Sequence, residues 1–241
     1  FSNGLETKIG SFNSEWEHFS EWLRMESEKE VIDKEKIKEA KVSLEHTILG
    51  LCEKQNLLDY IENFILFHKD GYFKVTAKNH QFLGVNNAIQ SFTERETRNG
   101  KLGVFWHTQG SGKSFSMVMF SKKIFRKFQG NFTFLIVTDR DDLDTQIYKN
   151  FLFMEAVKKG EESRPKNSEE LRDFLKTNKR FIFTLIQKFR YPKGKIYPIL
   201  SDRSDIIVIV DEAHRTQYAD LAENMRAGLP NAQFIAFTGT P

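Results

Sequence analysis

From residue 78 onward the chain keeps a regular rhythm of short apolar runs separated by stretches with apolar residues at helical spacing. The runs Gly103–Trp106, Phe132–Val137, Phe181–Leu185, Ile206–Val210 and Gln233–Phe237 predict strands. Between them, Gln81–Phe92, Phe115–Phe128, Asp141–Phe151, Ser168–Lys176 and a segment containing Leu221–Met225 predict helices. Gly130 is placed to stop the second of these, and Ser168 to cap the fourth with Glu169 and Glu170 in its first turn. Glu155–Asn167 reads as a polar loop. Apolar strands without alternation, each separated from the next by a helix, predict an α/β fold: a parallel sheet covered by helices on both faces. Ligands in such sheets bind at the carboxyl ends of the strands.

Before residue 78 the pattern differs. Asn3-Gly4 predicts a tight turn between short strands, and Trp16, Phe19, Trp22 and Leu23 recur at helical spacing. Residues 26–41 are a mixed charge run suited to an exposed helix or linker, and a domain boundary is placed there, near residue 33. Helices are predicted at Lys36–Leu51 and Leu57–Phe67, the second stopped by Asp70-Gly71. Glu6-Thr7-Lys8 matches half of a metal-dependent nuclease site, but no Asp lies among the residues ahead of it, so a charged strand surface is the reading adopted.

Bulk composition changes this picture little. A chain of 241 residues with 39% hydrophobic and 29% charged residues has a globular balance and fits one large domain or a domain with an appendage. Its single cysteine, Cys52, excludes an internal disulfide, fits a reducing cytoplasm, and is expected to be a small buried apolar residue. No apolar run approaches the roughly 18 residues of a membrane span. The net charge of +3 permits a local basic face without demanding one. The sequence opens on Phe1 and closes on Pro241 after a strand-like run, which leads us to expect a piece of a longer chain.

Two stretches carry chemistry. In the first, the strand Gly103–Trp106 runs into His107-Thr108-Gln109-Gly110-Ser111-Gly112-Lys113-Ser114 and then into a helix, the context of a phosphate-binding loop. Backbone N–H groups and the helix start would cradle phosphate, with Gly110 and Gly112 keeping side chains out of the way. Lys113 would reach the β/γ-phosphates of ATP, and the Ser114 hydroxyl would ligate Mg²⁺. His107 stands where the strict pattern has Gly; a solvent-exposed Gly/Ser turn before an amphipathic helix is the competing reading of this stretch alone. The second stretch is Asp211-Glu212-Ala213-His214-Arg215 directly after Ile206–Val210. Asp211 would hold Mg²⁺, in part through water, and Glu212 would orient and deprotonate the attacking water. Alone, the pair also fits an acidic helix start.

Taken together, these stretches resemble the DEAH-box superfamily 2 helicases and translocases. With Thr238-Gly239-Thr240, Asp211 to Tyr218 and Lys78-Asn79-His80-Gln81-Phe82, they resemble more narrowly the motor (R) subunit of type I restriction enzymes. His107 is ordinary in that family. The resemblance implies a RecA-like first motor lobe over residues 34–241, preceded over 1–33 by the short α+β tail of a nuclease-like domain. It implies that Gln81 reads the adenine edge and that the loop 107–114 binds the nucleotide. It further implies that His214, Arg215, Thr238, Gly239 and Thr240 couple nucleotide state to the DNA path. Thr138, Arg140, Thr184, Gln187 and Lys188, at strand ends, are expected to touch DNA phosphates without reading sequence, with Asp139, Asp144, Thr145, Gln146 and Arg190 beside them. Ordinary solvated loops are the alternative there.

The implied activity is that of an ATP-dependent double-stranded DNA translocase lobe. The parent restriction endonuclease would hydrolyse ATP, pull DNA past itself and cleave it in the prokaryotic cytoplasm, beside methyltransferase and specificity subunits. Its arginine finger would come from a second lobe and its nuclease site from before Phe1. A strand-separating superfamily 2 helicase acting on RNA or DNA, and a nucleotide-sensing lobe that does not hydrolyse, are the other two readings.

Overall fold

The computed structural model describes residues 1–67, 74–192, 195–211 and 219–239. They form two compact units: residues 1–87 with 153–155, and residues 88–152 with 156–241. The predicted site lies almost wholly in the second.

In the first unit, β1 (Lys8–Ile9) pairs antiparallel with β2 (Ser20–Glu21), and Ser2 bridges Thr7 around the turn at Asn3-Gly4, where Gly4 has φ +84°. The expected helix through Trp16 is instead a 3-10 turn, Trp16–His18, because the chain must come back to pair as β2. Glu6 is ion-paired with Lys38 at 2.7 Å, as befits a charged strand surface. The helix expected over 36–51 is broken into α1 (Lys34–Glu39) and α2 (Ser43–Gly50). Lys41 takes φ +57° and Val42 N–H reaches back to Ile37 O, a left-handed helix stop made without glycine. α3 (Lys54–Asn63) starts at Glu53, whose carboxylate accepts from Gln55 and Asn56 N–H. It ends before Ile65, because Ile65–Phe67 is β3, paired antiparallel with β4 (Lys74–Thr76), and buried Leu66 alternates with exposed Phe67. Asp70-Gly71 lies outside the described residues. Trp22, Tyr60, Phe64 and Phe82 make the aromatic core of this unit, and burial pushes the Tyr60 phenol above its ordinary range while its OH donates to Ala77 O. Cys52, expected to be buried, is exposed. Helix α4 (Asn79–Thr93) carries the chain across the division between units.

The second unit is the predicted parallel sheet. Its strands are β5 (Lys101–Trp106), β6 (Thr133–Thr138), β7 (Phe181–Leu185), β8 (Ile206–Asp211) and β9 (Gln233–Thr238), in the spatial order β5-β9-β8-β6-β7, and every pairing is parallel. Helices α5 (Lys113–Lys127), α6 (Asp141–Phe153), α7 (Ser168–Lys176) and α8 (Ala219–Gly228) connect them. Both faces are covered, and alternation along β6 shows how. Phe134 meets Phe120 and Phe125 of α5 and stacks on Phe181, which meets Phe151 of α6. Leu135 and Val137 pack on the other side, in a cluster with Leu171 and Leu175 of α7 and Met225 of α8. The cap of α7 is Asn167, not Ser168: its side chain accepts from Glu170 N–H at 2.9 Å, while Ser168 Oγ donates to Lys188 O.

Phe134 is fully buried among three rings, so Phe134→Ala should cost about 3–5 kcal/mol, read as a lowered urea midpoint.

Candidate functional site

The sheet order decides where chemistry can occur. β9 lies between β5 and β8, so the loop after β5 and the carboxylate ending β8 are separated by two strand spacings, about 9–10 Å. In register, Asp211 is opposite Phe237 and Trp106 is opposite Thr238, so both stretches emerge at one edge of the sheet. Phe105 stacks on Phe237 at 4.5 Å and holds the bases of the two strands together.

Sequence explains the loop locally. Gly110 and Gly112 take φ +81° and +86°, a region that costs other residues strain, and Gly112 is the residue from which α5 starts. Phe115 and Ser116 N–H return to Gly112 O, which begins the helix. Ser111 N–H donates to Thr108 O, closing the turn. Lys113 Nζ donates to His107 O at 3.4 Å and so folds across the loop from its last residue to its first. His107 N–H donates to Thr238 O at 3.2 Å. The start of the loop is thus fastened to the end of β9, in the segment expected to couple nucleotide state to DNA.

One cavity of ≈ 780 Å³ collects the predicted residues. Gln109, Gly110, Gly112, Lys113, Ser114, Asp211 and Gly239 line it. Asp211 is a carboxylate only 6% exposed, and a hydroxyl, a carboxylate and a backbone cradle facing one space are oxygen donors of the kind Mg²⁺ and phosphate require. The donor set therefore fits the group that the motif implies. His107, Thr108, Ser111 and Thr238 shape the loop and its floor without lining the cavity. Glu212, His214, Arg215 and Thr240 lie outside the described residues. Gln81 belongs to the other unit, where it is buried and its Oε1 accepts from Lys78 N–H at the start of α4.

A second wall comes from β6 and α6. Asp139 and Arg140 line the same cavity, followed by Asp142, Leu143, Gln146 and Asn150 of α6. Sequence reasoning did not assign Phe115, Asp142, Leu143 or Asn150 to the site, and placed Asp139, Arg140 and Gln146 on a DNA path. Two signals were available. β6 ends on Thr138-Asp139 much as β8 ends on Asp211, and residues 143, 146 and 150 recur on one helical face.

The five residues expected at DNA fare differently. Thr138 and Thr184 are buried, and Thr138 Oγ1 donates to Arg140 O. Gln187 Nε2 donates to Asp139 O at 2.8 Å, and Lys188 Nζ donates to Pro165 O, with burial pulling its pKa below the ordinary lysine range. Arg140 alone of the five is exposed. Nearby, Arg164 pairs with Asp144, whose carboxyl is held above its ordinary range by burial despite the guanidinium.

A five-stranded parallel sheet with a glycine-rich strand–loop–helix at one edge and a buried Asp two strands away defines a RecA-like nucleotide-binding lobe. The chain belongs to the SWI2/SNF2 ATPase family, whose pattern matches residues 80–241. It is 37% identical over its whole length to the type I restriction enzyme HindI endonuclease subunit of Haemophilus influenzae, covering 24% of that protein. It is 26% identical, again over its whole length and 24% of the relative, to the SsaAORF53P endonuclease subunit of a type I restriction enzyme in Staphylococcus saprophyticus. The chain therefore spans about a quarter of the length of these curated relatives. Its fold resembles the UvsW helicase of bacteriophage T4, with TM-score 0.52 and 12% identity over 78% of this chain and 60% of that one. Among the described residues no helix is long and apolar enough to cross a membrane.

At Gly110 an added Cβ would meet nothing within 4 Å, so Gly110→Ala isolates the backbone cost. It should lower stability by about 1–2 kcal/mol in urea unfolding, through the left-handed φ alone.

Proposed function

We propose that this chain is the first motor lobe of a type I restriction enzyme R subunit, binding Mg·ATP and driving translocation along double-stranded DNA. The observation that carries the reading is the convergence of Lys113, Ser114 and Asp211 on one cavity at the carboxyl edge of the sheet. Lys113 binds the β/γ-phosphates and neutralises charge that grows on them. The backbone of residues 110–114 orients the phosphate chain. Ser114 and Asp211 would hold Mg²⁺, which when bound adds its own charge to that neutralisation. Glu212, the next residue after Asp211, takes the proton of the attacking water. Gln81 reads adenine, since an amide donates and accepts at once.

Thr238, Gly239 and Thr240, with His214 and Arg215, form the coupling segment; the bond from His107 N–H to Thr238 O supports this by tying it to the phosphate loop. We assign DNA phosphate contacts to Arg140 and Arg190, both exposed. Residues 1–33 are assigned to the tail of a nuclease-like domain and 34–241 to the lobe. The parent protein would cleave DNA in the cytoplasm of a prokaryote, assembled with methyltransferase and specificity subunits.

In the full-length protein, Lys113→Ala should reduce phosphate release with duplex DNA by at least roughly 10²-fold while leaving the circular-dichroism spectrum unchanged. Retained hydrolysis would remove Lys113 from the mechanism. Glu212→Gln should keep nucleotide affinity and lose turnover; equal hydrolysis by wild type and variant would favour a sensing lobe. Triplex displacement without strand separation distinguishes duplex translocation from unwinding.

A further inference from the structure

The turn after β7 is fastened to one wall of the cavity and to helix α8. Residues Ile186–Phe189 form a single 3-10 turn at the far edge of the sheet, seated by the buried side chains of Ile186 and Phe189. On one side, Gln187 Nε2 donates to Asp139 O, and Asp139 with Arg140 lines the nucleotide cavity. The carbonyl acceptor dictates this amide orientation, because the reverse would set two oxygens against each other. On the other side, Asn224 of α8 donates through Nδ2 to Phe189 O at 3.0 Å. Among the described residues, α8 is the next helix in the chain after Asp211. Exposed Arg190 follows at once, its N–H bonded to Gln187 O.

Ladder hydrogen bonding between β6 and β7 stops at the pair Thr138 and Leu185. Beyond it, the Gln187 amide continues the connection by a side chain. A shift of the Asp139–Arg140 corner against a bound nucleotide therefore pulls on Gln187 directly, and a shift of α8 pulls on Phe189.

We propose that the 186–189 turn is a relay between the nucleotide cavity and the exposed guanidinium of Arg190, with Gln187 as its positioning residue. The inference deepens the motor reading and rests on it: the relay would link nucleotide state to DNA engagement at Arg190.

The test is DNA-stimulated ATP hydrolysis by the full-length protein. Gln187→Leu removes the donor at similar volume. It should leave DNA-free hydrolysis and the KM for ATP within about twofold, and lower the DNA-stimulated rate roughly 2- to 30-fold. Gln187→Lys, which restores a donor of similar reach, should recover stimulation. Asn224→Asp releases the turn from the other side and should reproduce the loss, which keeps the test open if Gln187→Leu does not fold. Normal stimulation in both Gln187→Leu and Asn224→Asp overturns the relay, as does an equal fall with and without DNA, a raised KM, or a Gln187→Lys protein as impaired as Gln187→Leu. Wild-type protein whose hydrolysis ignores DNA overturns the motor reading, and the relay with it.

Discussion

A parallel sheet buried on both faces has no place for a charge except at the ends of its strands. All six residues of β6 are buried, as are all but one of β8. Asp139 and Asp211 therefore appear where those strands run out, and the glycine-rich loop appears where β5 does. The site is the set of polar groups that the interior rejects, gathered at one edge because parallel strands end on the same side. Strand order then sets the spacing. With β9 between the loop and Asp211, a lysine and a carboxylate face one cavity without collapsing onto each other, leaving open space between them.

The floor of that space is made by β9. Its last residue, Thr238, is small and polar, and the Thr238 carbonyl accepts the first N–H of the loop. In this SWI2/SNF2 ATPase lobe the segment expected to communicate with DNA is thus joined by a hydrogen bond to the loop proposed to bind phosphate. On the opposite side of Asp211, side-chain amides do similar work: Gln187 and Asn224 tie the turn after β7 to the cavity wall and to α8.

Burial redistributes the roles that residue type suggests. Thr184 and Thr138 have hydroxyls suited to phosphate, but both are inside the sheet. Lys188 is a cation whose ammonium is spent on a backbone carbonyl. Arg164 and Asp144 form a partly buried pair holding the 155–167 loop to α6, a structural tie between residues twenty apart in sequence. Such reassignment is the rule near a site, because the same polar groups that contact ligands also close the loops that carry them.

Strong local codes were legible in the sequence. Short apolar runs identified every strand of the main sheet, and the Gly-x-Gly-Lys-Ser and Asp-Glu-Ala-His spacings are the basis of the nucleotide chemistry proposed for it, because each depends on backbone geometry or ligand type within a few residues. Legibility failed where a stop or a pairing depended on distant partners. Lys41 ends a helix without glycine, Ile65–Phe67 becomes a strand only because Lys74–Thr76 lies beside it, and Asn167 takes the cap from Ser168 because Lys188 O claims the serine hydroxyl. The sequence by itself determined the elements of the main sheet, the glycine-rich loop and the acidic strand end. Only the tertiary structure decided that Asp139 and the 143, 146, 150 face of α6 share their cavity, and that Gln187 holds its wall, since strand order and side-chain burial arise from contacts between segments far apart in the chain.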